Sequence, residues 1–238
     1  MREAHQAMDD DTANGKMVVV LESFDGAGGL PGAGLCASGG RGRRGRLGRQ
    51  VMADLDVIGI AGSLRAGSHN RALLRLAREI APPGMAIRAW EGLGTVPFYD
   101  GDLEERGIPG PVAEMNEEIR RAGAVLVVSP EYSASIPGVL KNALDWAARP
   151  PGKSPFRGKV VAITGASPGA LGTARAQMDL RRILAAMGAV VVPSPEVLVS
   201  QAHQKRDAAG TFTDEGTRKF LGKLLEELER WAVRLAVK

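Results

Sequence analysis

Two runs of this chain are apolar at every position: Val125-Leu126-Val127-Val128 and Val160-Val161-Ala162-Ile163. Successive side chains on a strand point to opposite faces, so a strand apolar throughout has both faces covered. Strands of this kind belong in the middle of a parallel sheet with helices above and below. From residue 55 onward, strand and helix signals alternate as that architecture requires. Strands are predicted over 56–61, 85–90, 124–129, 159–164 and 190–192, the last extended by 197–199. Helices are predicted over 70–81, 111–122, 137–147, 173–187 and 214–235. In the first helix Leu73, Leu74, Leu76, Ala77 and Ile80 fall at helical spacing. Asp214 and Glu215 give the last helix an acidic start suited to its dipole.

This alternation specifies an α/β fold, a flavodoxin-like doubly wound five-stranded parallel sheet of order 2-1-3-4-5 with helices on both faces. Ligands of such sheets sit beyond the strand C-termini, at the switch point between strands 1 and 3. The loops leaving strands 1, 3 and 4 are therefore expected to line one crevice.

Residues 1–54 read differently and are expected to form a disordered extension to a single domain over 55–238. Glycine dominates 26–48, with Arg41, Arg43, Arg44, Arg46 and Arg49 near its end, and few bulky apolar side chains offset the entropy of ordering it. Gly32-Ala33-Gly34-Leu35-Cys36-Ala37 imitates a dinucleotide fingerprint, but Ser38-Gly39-Gly40-Arg41-Gly42 follows it instead of a helix. Gly39 to Arg46 resembles one short arginine-glycine box without aromatics, which supports no specific nucleic-acid binding. Met52, just before the first strand, reads as a natural start, an expectation that mass spectrometry of the native N-terminus tests. The single cysteine, Cys36, excludes an internal disulfide framework and fits a reducing, cytoplasmic setting. No window reaches the roughly 18 apolar residues of a membrane span.

Three loops carry the chemistry. Gly62-Ser63-Leu64-Arg65-Ala66-Gly67-Ser68-His69-Asn70 joins a strand to a helix start, where amides and the helix dipole favour an anion. Ser63, Ser68 and Asn70 add neutral donors, and Arg65 adds a forked charge. Helix capping alone would account for Ser68. The loop lacks G-x-x-x-x-G-K-[ST], which disfavours a nucleoside triphosphate site. Ser129 to Gly138 is stiffened by Pro130 and Pro137 and carries Tyr132, a geometry suited to a planar ligand. Thr164 to Thr173 is built of small residues, so a flat ring can approach its backbone.

Gly-Ser-Leu-Arg-x-Gly-Ser-x-Asn at 62–70, Pro-Glu-Tyr-Ser at 130–133, Pro-Gly-Val-Leu-Lys-Asn-Ala-Leu-Asp-Trp at 137–146 and Ser-Pro-Gly-Ala-Leu-Gly at 167–172 occur in order. Together they resemble the NADPH-dependent FMN reductase family, in its bacterial quinone and chromate reductase branch. The resemblance covers roughly 55–235. It implies that Ser63, Arg65, Ser68 and Asn70 hold the FMN phosphate; Leu64 and His69, on the same loop, are counted with the cofactor-binding residues, and the His69 side chain is expected to face solvent. It implies that Pro130, Glu131, Tyr132 and Ser133 border the isoalloxazine and ribityl, and that Ser167 and Gly169 approach the pyrimidine end. Many members have Asn where this chain has Ser133, a shorter side chain with fewer donors. Trp146 is expected to be structural. His203 is assigned no role.

The resemblance further implies hydride transfer from NADPH to bound FMN and on to a quinone or a similar acceptor, such as chromate or a dye. One shared site for both substrates predicts ping-pong kinetics. It also implies a homodimer or homotetramer, with no metal and no membrane partner. A flavodoxin-type electron carrier is the alternative on the same fold; such carriers tend to be acidic, whereas this chain has a net charge of +4. An azo-dye or arsenical reductase of this fold is a further alternative, separated only by the pocket walls.

Overall fold

The computed structural model describes residues 55–236. The readings made above for residues 1–54, including the start at Met52, lie outside the described residues. The sheet is built from β1 (Leu55–Ala61), β2 (Met85–Trp90), β3 (Ala124–Val128), β4 (Val160–Ala166), β5 (Val190–Val191) and β6 (Val197–Val199). The helices are α1 (His69–Glu79), α2 (Gly101–Glu105), α3 (Gly110–Arg121), α4 (Gly138–Ala147), α5 (Ala174–Ala186) and α6 (Glu215–Ala236).

All strand pairs are parallel, in the order β2-β1-β3-β4-β5. The fifth position is shared: β5 pairs with Val160 and Val161, and β6 pairs with Thr164 to Ala166 on the same neighbour. Pro193 and Pro195 lie between the two pieces. Neither ring nitrogen can donate to a ladder, so the predicted extension is interrupted there. The switch point between β1 and β3 is where the topology of this order places it.

Strand alternation sorts the core into two halves. Val57, Leu126, Val128, Val160 and Ala162 face α1 and α6, meeting Leu73, Leu76, Leu221, Leu225 and Leu228. Ile58, Ile60, Val125, Val127, Val161 and Ile163 face the other way, toward Met115, Ile119, Leu140, Leu144, Leu180 and Leu184 of α3, α4 and α5. Every residue of β3 and β4 is buried, as the two apolar runs require.

Three short elements were not anticipated. Helical turns at Gly92–Thr95 and Ala202–Gln204 follow β2 and β6, and α2 contributes no buried residue. Asp100 caps α2 through Asp102 N, so its start is set by a local hydrogen bond and not by an apolar stripe. Trp146 is fully buried and donates from Nε1 to Pro97 O at 2.9 Å. Asn142 donates to the same carbonyl at 2.8 Å and accepts from Tyr99 N at 2.8 Å. These two α4 residues thus hold the segment after β2 in place. Among the described residues no helix is long and apolar enough to cross a membrane.

Candidate functional site

The sheet ladder continues past the strand ends, with Gly62 N donating to Val128 O and Ser129 N donating to Thr164 O, each at 2.9 Å. The three predicted loops therefore leave the sheet side by side. Gly165 lies where they are closest, and a Cβ there would stand 2.0 Å from Ser129 O. Only glycine fits.

In the first loop Ser63 and Ser68 are buried, while Leu64, Arg65, Ala66 and Gly67 are exposed. Ser68 caps α1, its Oγ accepting from the amides of Asn70 and Arg71 at 3.1 and 3.3 Å. Its hydroxyl proton is left to donate outward. The amides of Leu64, Ala66 and Gly67 bond to nothing among the described residues, and Arg65 has no carboxylate partner there. Unsatisfied donors and one uncompensated cation at the N-terminus of an 11-residue helix fit an anionic phosphate group.

Asn70 is placed differently from the expectation that it faces the ligand. Its Nδ2 donates to Ala166 O and its Oδ1 accepts from Ala166 N, both at 2.9 Å and both buried. The carboxamide thus ties the start of α1 to the end of β4.

In the second loop Tyr132 and Ser135 exchange backbone hydrogen bonds of 2.9 and 3.0 Å. The two residues between them, Ser133 and Ala134, have φ of 48° and 64°. This is a type I′ turn made without glycine. It lifts the exposed Tyr132 ring over the first loop, where its hydroxyl lies 3.2 Å from Ser63 Oγ. Pro130 is buried behind it. The Glu131 side chain is committed to the start of α5. Its carboxylate accepts from the amides of Arg175 and Ala176 at 3.0 and 3.2 Å and from the Arg175 guanidinium, so it caps α5.

The third loop rests on the segment that follows β6. Ser167 N donates to Val199 O and Ala202 N donates to Ser167 O, each at 3.0 Å. Gln201 N reaches Gly169 O at 3.2 Å, and Ser167 Oγ accepts from Gly169 N at 3.2 Å. Gly172, at φ +59°, packs against the Leu198 backbone, where a Cβ would stand 3.1 Å away. Gly169 itself is exposed.

With that geometry in view, likeness to known proteins becomes informative. Residues 55–204 match the family model described as NADPH-dependent FMN reductase. An NAD(P)H-dependent FMN reductase of Pseudomonas aeruginosa is 45% identical over 182 residues, covering 76% of this chain and 97% of that protein. The chain belongs to the NADPH-dependent FMN reductase family. A quinone reductase of Escherichia coli strain K12 is 41% identical over 165 residues, covering 68% of this chain and 87% of that protein. FerB, a flavoenzyme NAD(P)H:(acceptor) oxidoreductase from Paracoccus denitrificans, superposes with a TM-score of 0.69 at 34% identity, covering 76% of this chain and 98% of FerB. As a member of this family the chain is an oxidoreductase, with FMN as cofactor and NAD(P)H as co-substrate.

A fourth segment beside the three loops escaped sequence reading. After β6 the chain passes over the first loop, and Arg206 Nη1 reaches His69 Nδ1 at 2.8 Å. No local pattern marks Arg206, because its partner is 137 residues away. His69 is half-buried, and its pKa is lowered, first by burial and then by Arg206, Arg65 and His203. Among the described residues no group of His, Cys, Asp or Glu side chains is arranged to hold a metal ion.

Proposed function

We propose that this protein holds FMN in the crevice and uses it to carry a hydride from NAD(P)H to a quinone. The observation that carries this reading is the first loop, with its unbonded amides at Leu64, Ala66 and Gly67, its buried Ser63 and Ser68 hydroxyls, and Arg65 without a carboxylate partner. Those groups, with His69 beside them, suit the FMN phosphate. Tyr132, Pro130 and the Ser133 backbone border the ribityl and ring, and Ser167 and Gly169 border its pyrimidine end. Asn70 and Glu131 act through others, by fixing the first loop to β4 and the second to α5.

Bound FMN supplies the hydride chemistry, and the protein supplies position and electrostatics. Tyr132, Leu64 and Leu171 present exposed apolar surface on the loops leaving β1, β3 and β4. This surface suits a nicotinamide and a quinone in turn, and one shared face gives ping-pong kinetics. The names of relatives support the quinone, including a 2-hydroxy-1,4-benzoquinone reductase of Burkholderia sp that is 37% identical. Chromate and dyes are further acceptors on this reading. The exposed Phe98 and Met178 support a homodimer or homotetramer.

The test is the visible spectrum of the purified full chain, followed by anaerobic titration with NADPH and then a quinone. Loss of flavin absorbance on NADPH and its return on quinone are expected. A colourless protein that takes up no added FMN would overturn the reading. Flavin that NADPH leaves oxidised would favour an electron carrier.

A further inference from the structure

We propose that Arg206 is a phosphate-binding residue of this site, closing over the Gly62–Asn70 loop from the segment after β6 and acting together with His69. The inference rests on the reading that the loop holds the phosphate of FMN.

Arg206 is fixed in place by its own hairpin. Its Nε donates to Gly210 O at 2.7 Å, and its guanidinium stands over the Phe212 ring, 5.9 Å from the centroid. That leaves Nη1 against the first loop, 2.8 Å from His69 Nδ1 and 3.4 Å from Gly67 O. An arginine has only donors, so His69 Nδ1 must accept. The imidazole then carries its proton on Nε2 and offers that N–H beside the Ser68 cap.

The charge balance suits an anionic ligand. Arg65, His203 and Arg206 gather around His69, Arg75 lies near Arg206, and Arg206 forms no salt bridge among the described residues. Asp207 is the adjoining carboxylate, and its Oδ1 accepts from Thr211 N at 2.9 Å. Lys205, next in the chain, is directed to Asp214 at 3.9 Å. A guanidinium held against a histidine and backbone carbonyls, among other cations, lacks the forked oxyanion partner that it favours. A phosphate ester on the first loop supplies one.

The proposal separates FMN from riboflavin, which lacks the phosphate. Apo full-length protein is titrated with each flavin, following flavin fluorescence, in the wild type and in Arg206→Gln. The expected result is about tenfold or greater weakening for FMN, the order of one charged hydrogen bond, with riboflavin altered by less than about twofold. Because the readout is a ratio, general loosening of the hairpin cancels. Arg206→Lys keeps the charge and loses the Gly210 contact. It is expected to retain most of the preference for FMN, and Arg206→Met, also neutral, serves as the second variant should the glutamine form not fold. Equal losses for both flavins in a neutral variant, or an unchanged FMN preference there, would overturn the proposal. So would an unchanged FMN affinity with KM raised for NADPH but not NADH, which would move the anion to the co-substrate. A wild type that binds neither flavin would instead sink the functional reading.

Discussion

Asn70 and Ala166 exchange two hydrogen bonds of 2.9 Å, joining the first turn of α1 to the last residue of β4. Both partners are buried, so neither Ala166 backbone group has water as a substitute. Asn70→Ala leaves an N–H and a C=O unsatisfied, at about 1–3 kcal/mol each. We expect a loss of about 2–4 kcal/mol in urea unfolding. Affinity for FMN and riboflavin should fall together, because the loop is displaced and no phosphate contact is removed. A selective loss for FMN would show instead that Asn70 touches the phosphate.

The turn at Ser133 and Ala134 holds two successive L-residues in the left-handed region, with φ of 48° and 64°. That conformation costs an ordinary residue roughly 1–2 kcal/mol, and Asn and Gly less. Ser133→Asn, the residue that many family members carry here, is expected to raise stability by about 0.5–1 kcal/mol, or about 1–4 °C in Tm for a chain of this size. The demand at this position is therefore conformational, and Ser133 meets it at a cost. A Tm that falls in the Asn variant would show that the serine hydroxyl makes a contact worth more than the strain.

The sheet was legible because its signals are local. The apolar runs at 124–128 and 160–163 are a property of neighbouring residues, and so is the stripe of Leu73, Leu76 and Ala77. The helix α2 was not legible, since it buries nothing and leaves no periodic trace. At the candidate site, sequence placed polar groups on three loops that leave the sheet side by side, but not their directions. Whether Asn70 faces a ligand or the backbone of β4 depends on a partner 96 residues away. Glu131 has the same ambiguity, settled by Arg175 and Ala176. Arg206 was invisible for a related reason: a lone arginine in a polar stretch acquires meaning only when folding brings it to His69.

Glu131 accepts from two amides at the start of α5, groups that have no partner inside the helix. Glu131→Ala removes a charged cap and its ion pair with Arg175, whose own side chain is half-exposed. The cap contributes more than the pair, because exposed ion pairs are screened by solvent. We expect a loss of about 1–2 kcal/mol, with Glu131→Gln retaining part of it. Arg175→Met should cost less than Glu131→Ala. The reverse order, measured by urea unfolding of both variants, would mean that the guanidinium pair dominates.

His69 makes stability depend on pH in a definite direction. Its pKa in the folded chain lies below the ordinary 6.5, through burial and then the neighbouring Arg206, Arg65 and His203. Between the lowered value and about 6.5 the unfolded chain binds the proton more readily than the folded one. Stability therefore rises with pH across that window and levels off above it; below the folded pKa both states are protonated and the full penalty applies. Protonating Nδ1 also removes the acceptor that Arg206 uses. His69→Gln should flatten this acid limb, as followed by urea unfolding of the apo protein between about pH 5 and 7.5. A bound phosphate reverses the local field and favours the imidazolium. FMN binding near pH 6 should then take up protons, seen as a buffer-dependent heat in calorimetry, and riboflavin binding should not. Equal proton uptake for both flavins would place the titrating group away from the phosphate.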